Sequence, residues 1–276
     1  MAELVNVLAA SHTPVMLNFP DAAGEADRQS VFDGFHELGR RLAESRPQAL
    51  VVLSTDHLHN FFLDNFPAFC IGAADSYDTP IEHWLNAERR TLPGDPALGG
   101  HLLARAMESG FDPSFSLDLT LDHGSLTPIE LAGLSRELPI VPILVNCVQP
   151  PLPTMARCLA FGEFLGEALR DYQDTERVAV LATGGVSHDI ATPRMGMVNE
   201  EFDRRFLDLL GEDGRAAADY ARDHVHEAGN GAEEVRMWLI AAGAAAGSRT
   251  ADLEVIFYRP IPEWYTGIAV ASWATA

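Results

Sequence analysis

Ala49-Leu50-Val51-Val52-Leu53-Ser54-Thr55-Asp56-His57-Leu58-His59 is the stretch that decides how the rest of the chain is read. Ala49–Ser54, rich in leucine and valine and free of charge, has the length and character of a strand buried on both faces. The run stops at an acid and an imidazole, so its carboxyl end carries titratable groups. Open α/β sheets bind their ligands at that edge. Three other apolar runs also end close to a histidine. Leu4–Ala10 precedes Ser11-His12, Leu119–Leu121 precedes Asp122-His123, and Val178–Ala182 precedes Gly184-Gly185-Val186-Ser187-His188. The expectation is that these ends converge on one metal site.

Outward from the central strand, the periodicity alternates between the two regular structures. Glu25–Ser45 carries Val31, Phe32, Phe35, Leu38 and Leu42 at helical spacing with charges between them. Ala97–Ser109, Leu126–Leu134, Thr154–Tyr172, Glu200–Leu210 and Glu233–Ala246 read as further helices, with Ser125 or Thr127 capping the second. Ala68–Ile71, Ile140–Val145, Leu253–Tyr258 and Gly267–Ser272 read as further strands, and Arg259–Trp264 as a stiff turn. Asp75–Asp95 is polar and proline-punctuated, with His83 and Trp84 inside it; it is either a loop over the site or a purely structural segment. Asp213–Ala228 is polar and acidic. Strands alternating with helices predict an α/β fold, a single domain over residues 1–276 with a central mixed β-sheet flanked by helices and the metal site at strand ends.

Composition narrows the function. The chain has 276 residues, enough to bury a sizeable core. A formal net charge of -21 argues against nucleic acid or an anionic membrane as partner. All 19 basic residues are arginine. Without lysine there is no Schiff-base chemistry, no P-loop lysine and no carbamylated-lysine metal bridge. Cys70, Cys147 and Cys158 are odd in number and form no CxxC pair. They read as small buried hydrophobes in a reducing, cytoplasmic compartment rather than as disulfides or zinc ligands. No basic segment leads into an apolar signal stretch, and no apolar run of about 18 residues could span a membrane.

The histidines carry the chemistry. An oxygen-activating mononuclear iron(II) site needs two imidazoles, one carboxylate and open positions. His12 and His57 each stand just past a strand. Glu233 and Glu234 open a helix after the sharp turn at Gly229-Asn230-Gly231 and offer the carboxylate. Glu234 shares a helix face with Trp238, an aromatic expected inside, whereas Glu233 shares one with Arg236, which suggests solvent. Glu234 is therefore the preferred ligand. The pair His57-x-His59 admits a different reading, because alternate residues of an extended segment face the same way and such pairs open many zinc hydrolases. That reading wants further ligands in a barrel arrangement, often with a bridging lysine, which this chain lacks. Taken singly, any of these histidines could be a hydrogen-bonded structural residue.

The ordered set is more specific than its parts. Ser11-His12-Thr13-Pro14, Asp56-His57 with Phe61-Phe62, Asp122-His123-Gly124, Gly184-Gly185-Val186-Ser187-His188, Glu234 with Trp238, and Tyr258–Trp264 resemble the motifs of the class III extradiol ring-cleaving dioxygenases, the superfamily that includes protocatechuate 4,5-dioxygenase β subunits and 2,3-dihydroxyphenylpropionate 1,2-dioxygenases. The match runs from about residue 7 to residue 270. The resemblance implies that His12, His57 and Glu234 hold iron(II), that His188 is the base toward a catechol, and that His123 is a proton donor. It implies a catechol-type aromatic substrate and O2 as partners, and a homo-oligomer, either alone or with a small separate α subunit. Asp122 and Asp189 stand beside the two acid–base histidines and could orient them, with Asp56 serving His57 in the same way. A non-catalytic relative of the fold is the remaining alternative. It would be expected to lack at least one of these five side chains, and all are present. The particular catechol is not legible, although Arg194, Arg236 and Arg259 are candidates for a substrate carboxylate.

Overall fold

A computed structural model of the chain describes residues 1–247 and 252–274. Its strands are β1 (Glu3–Ala10), β2 (Ala49–Ser54), β3 (Phe69–Gly72), β4 (Ser76–Thr79), β5 (Arg90–Pro93), β6 (Ser114–Ser116), β7 (Ile140–Val145), β8 (Arg177–Thr183), β9 (Leu253–Ile261) and β10 (Thr266–Trp273). The helices are α1 (Val15–Asn18), α2 (Glu25–Ser45), α3 (Pro96–Glu108), α4 (His123–Leu131), α5 (Met155–Asp171), α6 (Glu200–Glu212), α7 (Gly214–Ala228) and α8 (Val235–Ala245).

An eight-stranded sheet runs in the order β6-β3-β7-β2-β8-β1-β10-β9, and β4 and β5 form a separate hairpin. The middle of the sheet, β7-β2-β8-β1, is parallel, while β3 and β10 join antiparallel on either side. Mixed pairing in an α/β domain is what the alternating sequence pattern led one to expect. Every residue of β2 and β7 is buried, which explains their continuous apolar character: both faces are covered.

Helices α3, α5 and α8 pack on one face of the sheet, and α2 and α4 cover the other. The pair α5 and α8 is tight enough to require glycine. A Cβ at Gly162 would come within 2.1 Å of the Ile240 carbonyl oxygen, and one at Gly243 within 2.3 Å of that of Leu159. Small residues at these positions therefore let the backbones of α5 and α8 approach closely. The acidic stretch after Asp213, to which the sequence pattern assigned no structure, is α7; Ala217, Ala218, Ala221, Val225 and Ala228 form its buried stripe. Among the described residues no helix is long and apolar enough to cross a membrane.

Candidate active site and metal centre

Three adjacent parallel strands deliver the first groups. Because β2, β8 and β1 are neighbours, their carboxyl ends place Ser11-His12, Asp56-His57 and the turn after Thr183 side by side. The Gly184 amide donates to the Ala10 carbonyl at 2.9 Å, and the Thr183 hydroxyl donates to Ser54 Oγ at 3.1 Å. His12 Nδ1 lies 3.2 Å from the same Thr183 Oγ1, which sets the ring plane.

Glu234 comes from 222 residues further along. It closes a short 3-10 turn, Gly231–Glu234, immediately before α8. Its Oε1 lies 3.2 Å from His12 Nε2 and 3.4 Å from His57 Nε2, and its Oε2 lies 3.7 Å from His188 Nε2. The same Oε2 accepts the Gly185 amide at 2.7 Å. Trp238 donates its indole N–H to the Gly184 carbonyl at 2.8 Å. Glutamate and tryptophan, one helical turn apart, thus clamp the same Gly-Gly turn. Burial raises the Glu234 pKa, but the imidazoles of His12, His188 and His57 outweigh it and hold the carboxyl well below its ordinary range.

Glu233 points elsewhere and pairs with Arg236. Arg236 is not on a solvated face, as the helical wheel suggested. It is buried, and its Nε donates to the Pro153 carbonyl at 2.7 Å, so it is committed to the fold. Arg259 is likewise engaged by Asp27.

His123 does not end a strand. Leu119–Leu121 is irregular, and Asp122 is the N-cap of α4, its Oδ1 accepting the Gly124 amide at 2.9 Å. The cap is thus three to five residues earlier than Ser125 or Thr127. Its other oxygen, Oδ2, accepts from both the backbone N–H and ring Nδ1 of His57 at 2.9 Å. Asp122 therefore orients His57, not its neighbour His123. Asp56 braces the loop instead, accepting the amides of His59, Asn60 and Phe61. Asp189 pairs with Arg194 rather than with His188. Adjacent residues point apart on both segments, and the partner comes from a different element.

The ring of His123 stacks on His57 with centroids 4.2 Å apart, and lies 5.6 Å from His12. One ring nitrogen each from His12, His57 and His123 falls within a 4.8 Å cluster. His188 closes the fourth side. Its Nδ1 is 3.0 Å from the Val186 carbonyl, an acceptor only, so Nδ1 carries the proton and the neutral ring presents a free Nε2 lone pair. Burial pushes the His188 pKa below its ordinary value despite Glu234.

His57 and His59 diverge. Leu58 takes a left-handed backbone conformation, φ 63°, which breaks the extended alternation that a His-x-His clip requires. His59 turns its Nε2 to within 3.3 Å of Glu82. The zinc-hydrolase reading loses its second ligand at this point.

The donor set fits a divalent metal. Two imidazoles and one carboxylate converge, with two further imidazoles at the rim, and glycine lines the cradle: a Cβ at Gly184, φ 94°, would lie 2.6 Å from Glu234 Oε2 and 3.0 Å from His12 Cε1. Matched against family models, residues 6–269 fit the catalytic LigB subunit of aromatic ring-opening dioxygenase. The chain belongs to this family. It is an extradiol ring-cleaving dioxygenase.

Among relatives of this dioxygenase is the 2,3-dihydroxyphenylpropionate/2,3-dihydroxicinnamic acid 1,2-dioxygenase of Paraburkholderia xenovorans, 32% identical over 303 residues, covering 92% of each chain. The protein of the same name from Photorhabdus laumondii is 27% identical, covering 97% of this chain and 96% of its own. An uncharacterized protein of Escherichia coli K12 shares the fold, with TM-score 0.60 and 17% identity over 88% of this chain and 91% of that one.

One buried group of the dioxygenase escaped the sequence reading. Glu82, on the segment between β4 and β5, has no exposed side-chain surface and bonds His123. In this segment the sequence singles out His83 and Trp84, while the acid between Ile81 and His83 carries no signal by spacing or motif. Burial raises the Glu82 pKa, yet the hydrogen bond and charge of His123 bring it below the ordinary carboxylate range.

Proposed function

We propose that this dioxygenase uses a single iron(II) ion held by His12, His57 and Glu234, in one catalytic domain spanning the chain, to open the ring of a catechol bearing a short carboxylic acid side chain. The observation that carries the reading is the placement of Glu234 Oε1 within 3.4 Å of both the His12 and His57 Nε2 atoms. A two-histidine, one-carboxylate set with open positions suits non-haem iron(II) oxygenases. The side-chain class is taken from the names of the relatives, which act on dihydroxyphenylpropionate and its cinnamate analogue. Three buried free cysteines support a reducing, cytoplasmic location.

When bound, iron(II) supplies the oxygen-activation chemistry. The chain's own residues manage protons and position. His188, neutral and with Nε2 unprotonated, takes a proton from a catechol hydroxyl. His123, on the opposite side of the cluster, returns a proton to oxygen as the ring opens, and its stacking on His57 keeps it beside the ligands. Trp84, 57% exposed with its ring 6.0 Å from that of His123, offers an aromatic surface at the mouth for the substrate ring.

Anaerobically purified protein loaded with iron(II) is expected to consume one O2 per catechol and to form a yellow ring-fission product. A panel of catechols with propionate, cinnamate, directly attached carboxylate and uncharged substituents ranks the side chains. Activity with zinc alone, or no oxygen uptake anywhere on the panel, refutes the proposal.

A further inference from the structure

Glu82 has no role among the motifs of the chain, yet it is placed with more constraint than most of them. Ile81 donates its amide to the Leu121 carbonyl at 2.9 Å, and Leu121 donates back to Asp78 at 2.9 Å. That short pairing carries the chain alongside Leu121 and delivers residue 82 to the first turn of α4. Beyond it, Asn86 ties the segment to α1, the short helix that follows His12, with its amide donating to Asn18 Oδ1 at 2.6 Å and its side-chain Nδ2 to the Leu17 carbonyl at 3.1 Å.

Between these two anchors the Glu82 carboxylate is sealed from solvent, with the Asp122 carboxylate within 4.8 Å of it and His59 and His123 supplying its partners. Both oxygens accept the His123 backbone N–H at 3.1 Å, and Oε1 lies 2.5 Å from His123 Nδ1 and 3.3 Å from His59 Nε2. A buried carboxylate in a chain of net charge -21 is costly unless it is bonded, and here its hydrogen bonds converge on one imidazole.

We infer that Glu82 is the positioning residue of His123: it holds one proton on Nδ1 and fixes the ring against His57, so that the proton passed to the reacting oxygen is a second one, carried on Nε2 while the Glu82 carboxylate balances the imidazolium. The inference rests on the reading of His123 as proton donor. It also assigns His59, the second histidine of the opening motif, to the same carboxylate rather than to the metal. Partners of this kind, one shell out from the chemistry, fix the tautomer and orientation of an imidazole without touching substrate.

The test uses the iron-loaded holoenzyme and its metal-free form. Glu82→Gln is expected to lower kcat by about 10- to 100-fold, with iron content and KM for the catechol within about twofold of wild type. Glu82→Asp, which retains the charge at shorter reach, is expected to recover part of the loss. In a His123→Ala background Glu82→Gln should lower kcat no further, since its route to the reaction is gone. In metal-free protein, the 15N ring spectrum should show His123 protonated at Nδ1 in wild type and a mixture of tautomers in Glu82→Ala. Wild-type kcat in Glu82→Gln, or an equal further loss in the His123→Ala background, overturns the inference. Wild-type kcat in His123→Ala overturns the proton-donor reading and the catalytic half of the inference with it. An unchanged ring spectrum in Glu82→Ala overturns the hold of Glu82 on the ring, whatever the kinetics.

Discussion

The two sides of the histidine–glutamate cluster are built differently. On one side His57 and His123 are each braced through Nδ1 by a buried carboxylate, Asp122 and Glu82 respectively. On the other side His188 leans its Nδ1 on a backbone carbonyl, that of Val186. A carboxylate stabilises an imidazolium; a carbonyl fixes a tautomer but adds no compensating charge. For His57 the carboxylate makes the neutral ring a more basic donor at Nε2. For His123 it works against burial and the neighbouring His57, which together keep the pKa of that ring below its ordinary value. The supports differ too. The His57–His123 side is anchored by a helix cap and a paired segment. The His188 side is a glycine-rich turn, with Gly184 at φ 94° and Gly185 at φ 63°, steadied from below by Asp203. Asp203 accepts the Ser187 amide and hydroxyl and the Tyr258 hydroxyl, all at 2.8 Å.

The comparison breaks most visibly at the metal. Glu234→Gln or His12→Ala is expected to reduce iron content by about 10- to 100-fold and turnover with it, whereas His123→Ala should retain iron, measured by elemental analysis. Iron lost equally from all three would make His123 a ligand and erase the difference between the two sides.

A steric change separates base from ligands. A Cβ at Gly231 would fall 2.0 Å from His188 Nε2. Gly231→Ala should therefore displace that imidazole and lower kcat by about 10²- to 10⁴-fold, with iron content unchanged. If kcat stays near wild type, His188 is not the base.

The smallest effect is expected under the turn. Burial raises Asp203 from 3.8 to about 7, against the hydrogen bonds of Ser187 and Tyr258. The folded state then holds a proton up to about pH 7 that the unfolded chain has released by about pH 4. More protons bound in the folded state mean that stability falls as pH rises through that window and levels off above it. Asp203→Asn should flatten the pH dependence of stability between about pH 4 and 7, a change on the order of a few kcal/mol at most, read from melting temperatures across that range, and change kcat only slightly. A wild-type pH profile in this variant shows that the carboxyl is ionised throughout.

How much of this was legible follows from where each signal lives. His12, His57 and His188 could be found because each follows a strand or its glycine turn, and strand ends are local features of hydropathy. Glu234 could be chosen over Glu233 because a helical face is also local, and Trp238 marked it. The partners of the imidazoles were not legible. Asp122 lies beside His123 in the chain but serves His57, because the first turn of α4 turns the two side chains in different directions. Asp189 likewise turns away from His188 to Arg194. The His-x-His reading failed on one backbone angle, at Leu58.

By itself, then, the order of residues determined the alternation of strands and helices, the family, and the histidines and glutamate that line the site, since hydropathy period and motif order are properties of the chain. Only the tertiary structure decided which carboxylate braces which ring. Glu82 meets His123 across 41 positions and Asp122 meets His57 across 65, and such pairings arise from neighbouring elements in space, to which spacing along the chain is blind. Thr55-Asp56-His57-Leu58-His59 shows both outcomes, for His57 lies beside His12, His123 and Glu234 at the end of its strand while His59 is turned aside to Glu82.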